Sequence, residues 1–352
     1  MKNRTIKRLF FGIAAVVLCA LLSSCDEKTE RFSSHSFDYF DTVTTITGYA
    51  SDREAFDRVA DDVMRLLAEY HQLFTIYEHY EGTENLYTVN TLKNGAHPIV
   101  KADERIIEML LYAKEMYDKT DGHMNIAMGS VLSLWHNYRE KGMYNPKNAE
   151  LPPMEMLLKS SVHMDIDNLV IDEKNGTVTL TDVEMTLDVG AIAKGYAVEM
   201  AAQMLEEKGI SGYVINVGGN VRTVGAKADG SDWVVGIENP DDDGSQPYLA
   251  YLHLAGESLV TSGSYQRYYT VDGKQYHHII DPETLMPAEY YRSVSVICKN
   301  SADGDALSTA LFCMSLEEGM SLIQNFDGVE AMWVFPDGEK RYSEGFEDYF
   351  VP

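Results

Sequence analysis

Short strand-like segments follow one another along the chain after Gly209, and this pattern constrains the fold more than any other feature. Neighbouring strands joined by short turns indicate antiparallel pairing. The helical segments come in separate blocks, so the pattern predicts an α+β fold with antiparallel sheets and segregated helices. The predicted strands are GYVINV, WVVGIE, YLAYLHLA, QRYYTV, QYHHII, SVSVICK and EAMWVF.

Four helices are predicted from apolar residues that recur at helical spacing. Ser51 precedes the first helix, and Glu54 three residues later completes the pattern of a capping box. The second helix is predicted over residues 103–120, where Asp121-Gly122 ends it. The third runs from about residue 191 to 209, and the fourth begins near Asp303.

The N-terminus combines a basic start with an apolar run from Leu9 to Leu22. This run is short for a bilayer span, so it predicts a secretion signal. It ends in LSSC at residues 22–25, which resembles a bacterial lipobox and implies cleavage before Cys25 and acylation of its thiol. The alternative is an ordinary signal peptide with an incidental cysteine.

The division of the chain follows from this signal. Residues 1–24 are predicted to be the signal peptide. Residues 25–36 would be the lipid-bearing cysteine and a tether, because the stretch from Asp26 to about Ser36 is polar and unpatterned. No convincing linker follows, so residues 37–352 are predicted to form one catalytic domain.

The chain is strongly acidic, with 55 acidic and 29 basic residues and a formal net charge of −26. Loss of the signal would remove four basic residues and leave −30. Such a charge repels nucleic acid, which is excluded as a partner. An anionic small ligand would need local cations or a metal to offset this field.

Two cysteines remain after Cys19, which falls in the signal, and Cys25. An oxidising compartment permits a disulfide between Cys298 and Cys313. Two buried free thiols are the interpretation that the sequence favours.

The segment DVGAIAKGYAVE, residues 188–199, raises an electrostatic question. It places Lys194 in the first turns of a predicted helix, where the helix dipole disfavours a cation. GAIAKGY has the glycine spacing of a P-loop, but Tyr196 stands where that loop requires lysine. What remains is a glycine turn, a helix N-terminus and a lysine, which together suit a phosphate. The alternative is a tight turn whose lysine extends to solvent.

A hairpin is predicted around Asp272-Gly273, a two-residue turn signal. Counting outward from the turn places Arg267 opposite His278. An arginine beside a histidine on an aromatic face indicates an anionic or ring-bearing ligand, and the alternative is a half-buried polar pair. The face is predicted to consist of Tyr265, Arg267, Tyr269, Tyr276, His278 and Ile280.

Asp305 and Thr309 lie four residues apart in the fourth predicted helix and would share a face. A carboxylate and a hydroxyl can together bind a hard cation such as Mg²⁺. Helices carry such pairs routinely, so the pair alone does not establish a metal site.

Taken together and in this order, five motifs resemble those of the ApbE family, the bacterial FAD:protein FMN transferases. The similarity covers nearly the whole chain after the signal. Members of this family are typically periplasmic lipoproteins, in agreement with Cys25. The motifs are DVGAIAKGYAVE, INVGGNVRTVG, TSGSYQRYY, HIIDPET and DGDALSTALF.

The resemblance implies a reaction that uses FAD and Mg²⁺. A threonine or serine hydroxyl of a target flavoprotein attacks the FMN phosphate, and AMP leaves. The implied targets are subunits of membrane redox pumps, and the implied location is a lipid anchor on the periplasmic side of the inner membrane. Two other functions stay open, a Mg²⁺-dependent FAD pyrophosphatase and a non-catalytic flavin-binding lipoprotein.

The resemblance also implies roles for individual residues. The pyrophosphate of FAD would supply the negative charge that Lys194 lacks. His278 would lie beside the flavin phosphates and position them rather than act as a base, because Arg267 should hold its imidazole neutral. Leu285 replaces a glycine usual in the family. The implied metal ligands are the Ala191 carbonyl, Asp305 and Thr309. The implied catalytic residues are His278 and Asp305. The implied flavin and nucleotide contacts are Phe40, Met124, Asn125, Asp188, Lys194, Arg267, His278 and Ile279.

Overall fold

The computed structural model describes residues 29–91, 99–241 and 244–352. The predicted signal peptide, Cys25 and the start of the predicted tether lie outside these ranges. Within them, helices and antiparallel sheets confirm the α+β class. No helix in the described ranges is both long enough and apolar enough to cross a membrane.

The largest sheet has eight strands and is antiparallel throughout, in the order β1-β2-β6-β7-β10-β13-β14-β15 once the strands are numbered along the chain. The smaller sheets are β3-β5-β4, β8-β9 and the hairpin β11-β12. The strands are β1 (Glu30–Tyr39), β2 (Thr42–Ala50), β3 (Val100–Lys101), β4 (Leu169–Asp172), β5 (Thr177–Leu180), β6 (Tyr213–Val217), β7 (Asn220–Val224), β8 (Trp233–Glu238), β9 (Tyr248–Leu254), β10 (Ser258–Gly263), β11 (Tyr268–Val271), β12 (Lys274–His277), β13 (Ser293–Cys298), β14 (Glu330–Val334) and β15 (Lys340–Tyr342).

The helices pack mainly against one face of this sheet, and the main core lies between them. A second apolar cluster lies between the main sheet and β8-β9, and a third joins two helices to the hairpin β11-β12. The helices are α1 (Arg53–Phe74), α2 (Leu86–Thr91), α3 (Glu104–Lys119), α4 (Gly129–Tyr144), α5 (Met154–Ser161), α6 (Ala193–Glu207), α7 (Ser301–Phe312) and α8 (Leu316–Ile323).

Helices α6 and α7 are buried on most of their surface and lie against each other. Many residues of the two helices are alanine, glycine or serine, so the backbones of α6 and α7 can approach each other closely. A Cβ added at Gly195 would collide with the Ser301 carbonyl oxygen and with the Cβ of Asp305. Gly195 therefore allows the close contact that brings Asp305 to the start of α6.

The predicted helix boundaries agree within one residue with α3 and within two residues with α6, and the predicted start of the fourth helix is within two residues of the start of α7. The capping box at the start of α1 is wrong. Asp52 is the N-cap, and its carboxylate accepts the Ala55 N–H at 2.8 Å. Ser51 lies one residue earlier and donates to the Asp52 carboxylate instead, because Asp52 occupies the N-cap position.

The predicted tether over residues 25–36 is also wrong in its second part. Residues 30–36 belong to β1, where Arg31 pairs with Tyr49 and Ser36 with Thr44. Because β1 is at the edge of the sheet, half of its side chains are exposed and none is fully buried, its sequence lacks the alternating apolar pattern of an inner strand. Cys298 and Cys313 are buried free thiols, as the sequence favoured.

Candidate active site

A cavity of about 340 Å³ lies where the β1-β2 and β6-β7 turns of the main sheet meet α4, α6, α7 and the hairpin β11-β12. This volume is within the usual range for small-molecule sites. Segments far apart in the chain form its walls, so tertiary packing creates it. Nine residues predicted from the sequence line it, namely Asn125, Asp188, Ala191, Lys194, Arg267, His278, Ile279, Asp305 and Thr309.

One side of the cavity is the helix corner, which we define as Ala191, Lys194, Gly195, Asp305 and Thr309. Asp305 is buried, and one carboxylate oxygen accepts the Gly195 backbone N–H at 2.8 Å. Its other oxygen lies 3.4 Å from the Lys194 ammonium, which also donates to the Gly190 carbonyl at 3.3 Å. Within the chain, Asp305 is therefore the negative charge beside Lys194, a partner that the sequence did not reveal.

The oxygen atoms of the helix corner are of the type that a hard cation prefers. Thr309 lies one turn after Asp305 on α7, and its hydroxyl is 3.4 Å from that of Ser262. Ala191 lies just before α6 and lines the same cavity. The described residues include no cluster of three or more His, Cys, Asp or Glu side chains that could hold a metal. One carboxylate with neutral oxygens fits Mg²⁺, which usually completes its ligands with water and substrate phosphates.

The other side is the hairpin wall, which we define as Arg139, Arg267 and His278. The hairpin has its predicted register, since Val271 pairs with Lys274 and the His278 N–H donates to the Arg267 carbonyl at 3.1 Å. Arg267 donates to the Asp41 carbonyl at 3.2 Å across the cavity mouth. Most of the predicted aromatic face lines the cavity, but Tyr265 instead bonds to Glu238 outside it.

His278 is neutral at ordinary pH. Loss of solvation, followed by the nearby positive charge of Arg267, lowers the pKa of His278 to about 3. The prediction of a neutral imidazole therefore agrees with the structure, but burial and not Arg267 is the main cause. The Nδ1 atom of His278 is buried and has no hydrogen-bond partner among the described residues. It is a polar atom that a ligand could satisfy.

Two other lining residues are held by hydrogen bonds to nearby backbone groups. The Asp188 carboxylate accepts the Gly190 N–H at 2.9 Å, and burial raises the pKa of Asp188. The Asn125 side chain accepts the Ala127 N–H at 2.8 Å and donates to the Met164 carbonyl at 3.0 Å. Asn125 thus fixes the local backbone, which limits how its amide can also bind a ligand.

Phe40 and Met124 do not line this cavity, although their neighbours do. Met124 has no exposed surface. Phe40 lies in the β1-β2 turn with a φ of 55°, and its N–H donates to Nδ1 of His71 at 3.2 Å. The expected flavin contacts of these two residues stay predictions.

Leu285 lies in a backbone conformation that glycine adopts more easily, with a φ of 60°. Its side chain is buried in the cluster between α4 and the hairpin, and its carbonyl accepts the Trp135 indole N–H at 2.9 Å. These contacts offset the strain of a leucine at this turn.

The cavity also contains residues that the sequence did not single out. Trp135, His136 and Arg139 line it from α4, and Tyr77 lines it from the segment after α1. Burial raises the pKa of Tyr77 to about 12, so its hydroxyl stays protonated. The three α4 residues have helical spacing, which could have predicted a shared face. That face meets the cavity only through the packing of α4 on β11.

Comparisons with known proteins show the family to which the chain belongs. The chain matches the model of the ApbE family over residues 40–333. It is 29% identical to the FAD:protein FMN transferase of Treponema pallidum (strain Nichols), over 96% of this chain and 94% of that protein. It is 30% identical to the protein of the same name from Escherichia coli (strain K12), over 94% and 93% of the two chains. The crystal structure of the ApbE protein from Thermotoga maritima has a TM-score of 0.79 at 27% identity and covers 92% of this chain and 100% of that one.

Proposed function

The chain belongs to the ApbE family, and from that membership we propose that it is an FAD:protein FMN transferase, the name its relatives carry. The observation that carries the proposal is the meeting of the helix corner and the hairpin wall in one cavity. The first offers hard oxygen ligands beside a lysine. The second offers two guanidinium groups and a neutral imidazole with an unsatisfied nitrogen. This combination suits a substrate that carries a pyrophosphate.

The proposed reaction moves the FMN phosphoryl group from FAD to a protein hydroxyl. The oxygen of a threonine or serine in the target forms a bond to the FMN phosphorus. The bond from that phosphorus to the bridging oxygen breaks, and AMP leaves with the electron pair. The hydroxyl proton passes to solvent. In a loose phosphoryl-transfer transition state this proton leaves late, so no strong base is needed at the site.

The residues of this chain would act mainly by positioning and by stabilising charge. Asp305, Thr309 and the Ala191 carbonyl would hold Mg²⁺, which when bound neutralises charge on the phosphate oxygens. Lys194 and the dipole of α6 favour the same negative charge. His278 positions the phosphates as a neutral group, since its low pKa makes it a poor base.

An acceptor assay tests this proposal. The protein is incubated with FAD, Mg²⁺ and a flavoprotein acceptor, and flavin that stays on the acceptor after acid denaturation is measured. Attached flavin with released AMP supports the transferase. Release of FMN and AMP without attachment would instead indicate an FAD pyrophosphatase that uses water as the acceptor. Tight FAD binding with no turnover would indicate a flavin-binding protein, which has no need of the oxygen ligands in the helix corner.

We further propose that Cys25 carries a lipid that anchors the protein to the inner membrane on its periplasmic side, where subunits of membrane redox pumps would be its acceptors. The short apolar run from Leu9 to Leu22, which is followed closely by Cys25, supports the lipid anchor. Replacing Cys25 with serine should move the protein to the soluble periplasm or leave its signal uncleaved. Unchanged fractionation and unchanged gel mobility would contradict lipidation.

A further inference from the structure

Two arginines of the hairpin wall line the cavity without an ion pair. Arg139 comes from α4, and Arg267 from the segment that enters β11. Among the residues in the described ranges, no carboxylate oxygen lies within 4.0 Å of either guanidinium. The chain contains 55 acidic residues against 29 basic ones, so unpaired arginines are not what its composition favours. Their positive charge is left for a ligand.

Arg139 is held in one orientation. One of its terminal nitrogens lies 2.9 Å from Nδ1 of His136, and Nε2 of His136 lies 3.1 Å from a carboxylate oxygen of Glu140. A guanidinium can only donate, so Nδ1 of His136 accepts and Nε2 carries the proton toward Glu140. The His136 ring also packs against the Tyr77 ring, with centroids 5.5 Å apart. The remaining N–H groups of Arg139 can therefore donate to a ligand without further ordering of the side chain.

The two guanidinium groups are close enough to disfavour each other's charge. Burial lowers the pKa of Arg139, and the positive charge of Arg267 lowers it further. An anion bound between them would relieve this repulsion and would form charge-assisted hydrogen bonds. The planar fork of a guanidinium suits a phosphate in particular.

His278 lies within electrostatic reach of both sides of the cavity. After the loss of solvation, the positive charges of Arg267, Arg139 and Lys194 all contribute to its lowered pKa. Two linked phosphates could contact the helix corner and the two arginines of the hairpin wall at once, close to His278.

On the basis of the transferase function proposed above, we propose that Arg139 acts with Arg267 to bind the AMP-side phosphate of FAD, while the helix corner holds the FMN-side phosphate. As the bond from the FMN phosphorus to the bridging oxygen breaks, its electron pair stays on the AMP phosphate. That phosphate gains one negative charge, which the two guanidinium groups stabilise. Arg139 is thus a substrate-binding residue that also stabilises the leaving group.

Binding measurements test this assignment separately from transfer. The full chain, its Arg139→Met variant and its Arg139→Lys variant are titrated with FAD, AMP and riboflavin in EDTA, so that no metal bridges ligand and protein. Arg139→Met should weaken the binding of FAD and AMP by at least about 10-fold, the size expected for a charged hydrogen bond. Riboflavin has no phosphate, so its affinity should change less than about twofold. Arg139→Lys should give intermediate losses, because it keeps the charge without the fork.

The matched control is Arg58→Met, which removes an exposed arginine paired with Glu54 on α1. It should leave all three affinities unchanged. Parent-like AMP and FAD binding in Arg139→Met would overturn the assignment. An equal loss of riboflavin binding would also overturn it, since Arg139 would then support the flavin ring or the fold. If the protein attaches no flavin to an acceptor but loses AMP binding on this substitution, the transferase proposal fails while the phosphate site stands.

Discussion

The two sides of the cavity are stabilised in opposite ways. In the helix corner, two buried helices meet at a glycine, and the carboxylate of Asp305 is matched by an ammonium and by a backbone N–H. In the hairpin wall, Arg267 is exposed and contacts a backbone carbonyl, and Arg139 contacts a histidine. The charges of the helix corner therefore largely balance each other, whereas the positive charges of the hairpin wall are not balanced by a carboxylate.

This difference in charge balance indicates that the two sides of the cavity have different functions. A rigid, charge-balanced group of oxygen atoms can keep a metal and a reacting phosphate in a fixed geometry. Unbalanced cations contribute mostly to affinity for an anionic substrate. Substitutions in the helix corner should therefore reduce the rate of transfer at saturating FAD, whereas those in the hairpin wall should also raise the FAD concentration needed.

The most disruptive substitution short of removing a ligand should be Gly195→Ala. The added Cβ meets backbone and side-chain atoms of α7, so the two helices must separate and carry Asp305 with them. We expect transfer to fall by about 10²-fold, as a misplacement of about 1 Å can produce. The free energy of unfolding should also fall by about 1–3 kcal/mol. Acid-stable flavin attachment and urea unfolding measure the two effects.

Gly209→Ala is the control for this substitution. Gly209 lies just beyond the other end of α6, has a φ of 68° and has open space where a Cβ would be. It should lose about 1 kcal/mol of stability from backbone strain while transfer stays at the parent rate. Equal losses of activity in both variants would mean that the contact at Gly195 has no special role in placing Asp305.

His278→Ala should have the next largest effect. It removes the polar contact that we propose His278 makes to the phosphates, so transfer should slow by at least about 10-fold. Because the pKa of His278 is about 3, the parent should show no step in its rate from this residue between pH 5 and 8. His35→Ala, an exposed histidine of β1, is the control. Parent-like transfer in His278→Ala would remove this residue from the site.

His278 also has a predicted effect on stability at low pH. Its folded-state pKa lies below its usual value, so between about pH 6.5 and 3 the unfolded chain binds a proton that the folded chain does not. The parent should therefore lose stability as pH falls through this window. His278→Ala should lose less, and an unchanged slope of unfolding free energy against pH would argue against a buried neutral imidazole.

Thr309→Val should have the smallest effect. Water can replace a neutral oxygen ligand, so we expect transfer to fall only several-fold and the half-saturating Mg²⁺ concentration to rise by a similar factor. Thr261→Val is the control, because that hydroxyl also lines the cavity but is bonded to Ser295 at 2.8 Å. An unchanged Mg²⁺ requirement in Thr309→Val would exclude its hydroxyl as a ligand.

The sequence predicted features that depend on local signals. The apolar spacing after Asp103 and the Asp121-Gly122 turn predicted the extent of α3, and a two-residue turn predicted the hairpin register. It missed features that depend on distant packing, such as the bond between Asp305 and the Gly195 N–H, which lie 110 residues apart. It likewise missed Arg139, because nothing near it in the sequence shows that α4 packs on β11 and so faces the cavity. The strands β7 and β10 were not predicted for a different, local reason, because the glycine and serine residues near their ends are typical of turns.

We propose that Asp305 holds the metal and the reacting phosphate in the helix corner. The most direct test measures acid-stable flavin transfer against Mg²⁺ concentration in the parent, in Asp305→Ala and in Asp305→Asn. The asparagine can still accept the Gly195 N–H, which protects the fold. We expect the rate of flavin transfer at saturating Mg²⁺ to fall by at least about 10²-fold in both variants, while FAD binding weakens but persists. Transfer at the parent rate in either variant, with Mg²⁺ present, would mean that Asp305 does not hold the metal and the reacting phosphate.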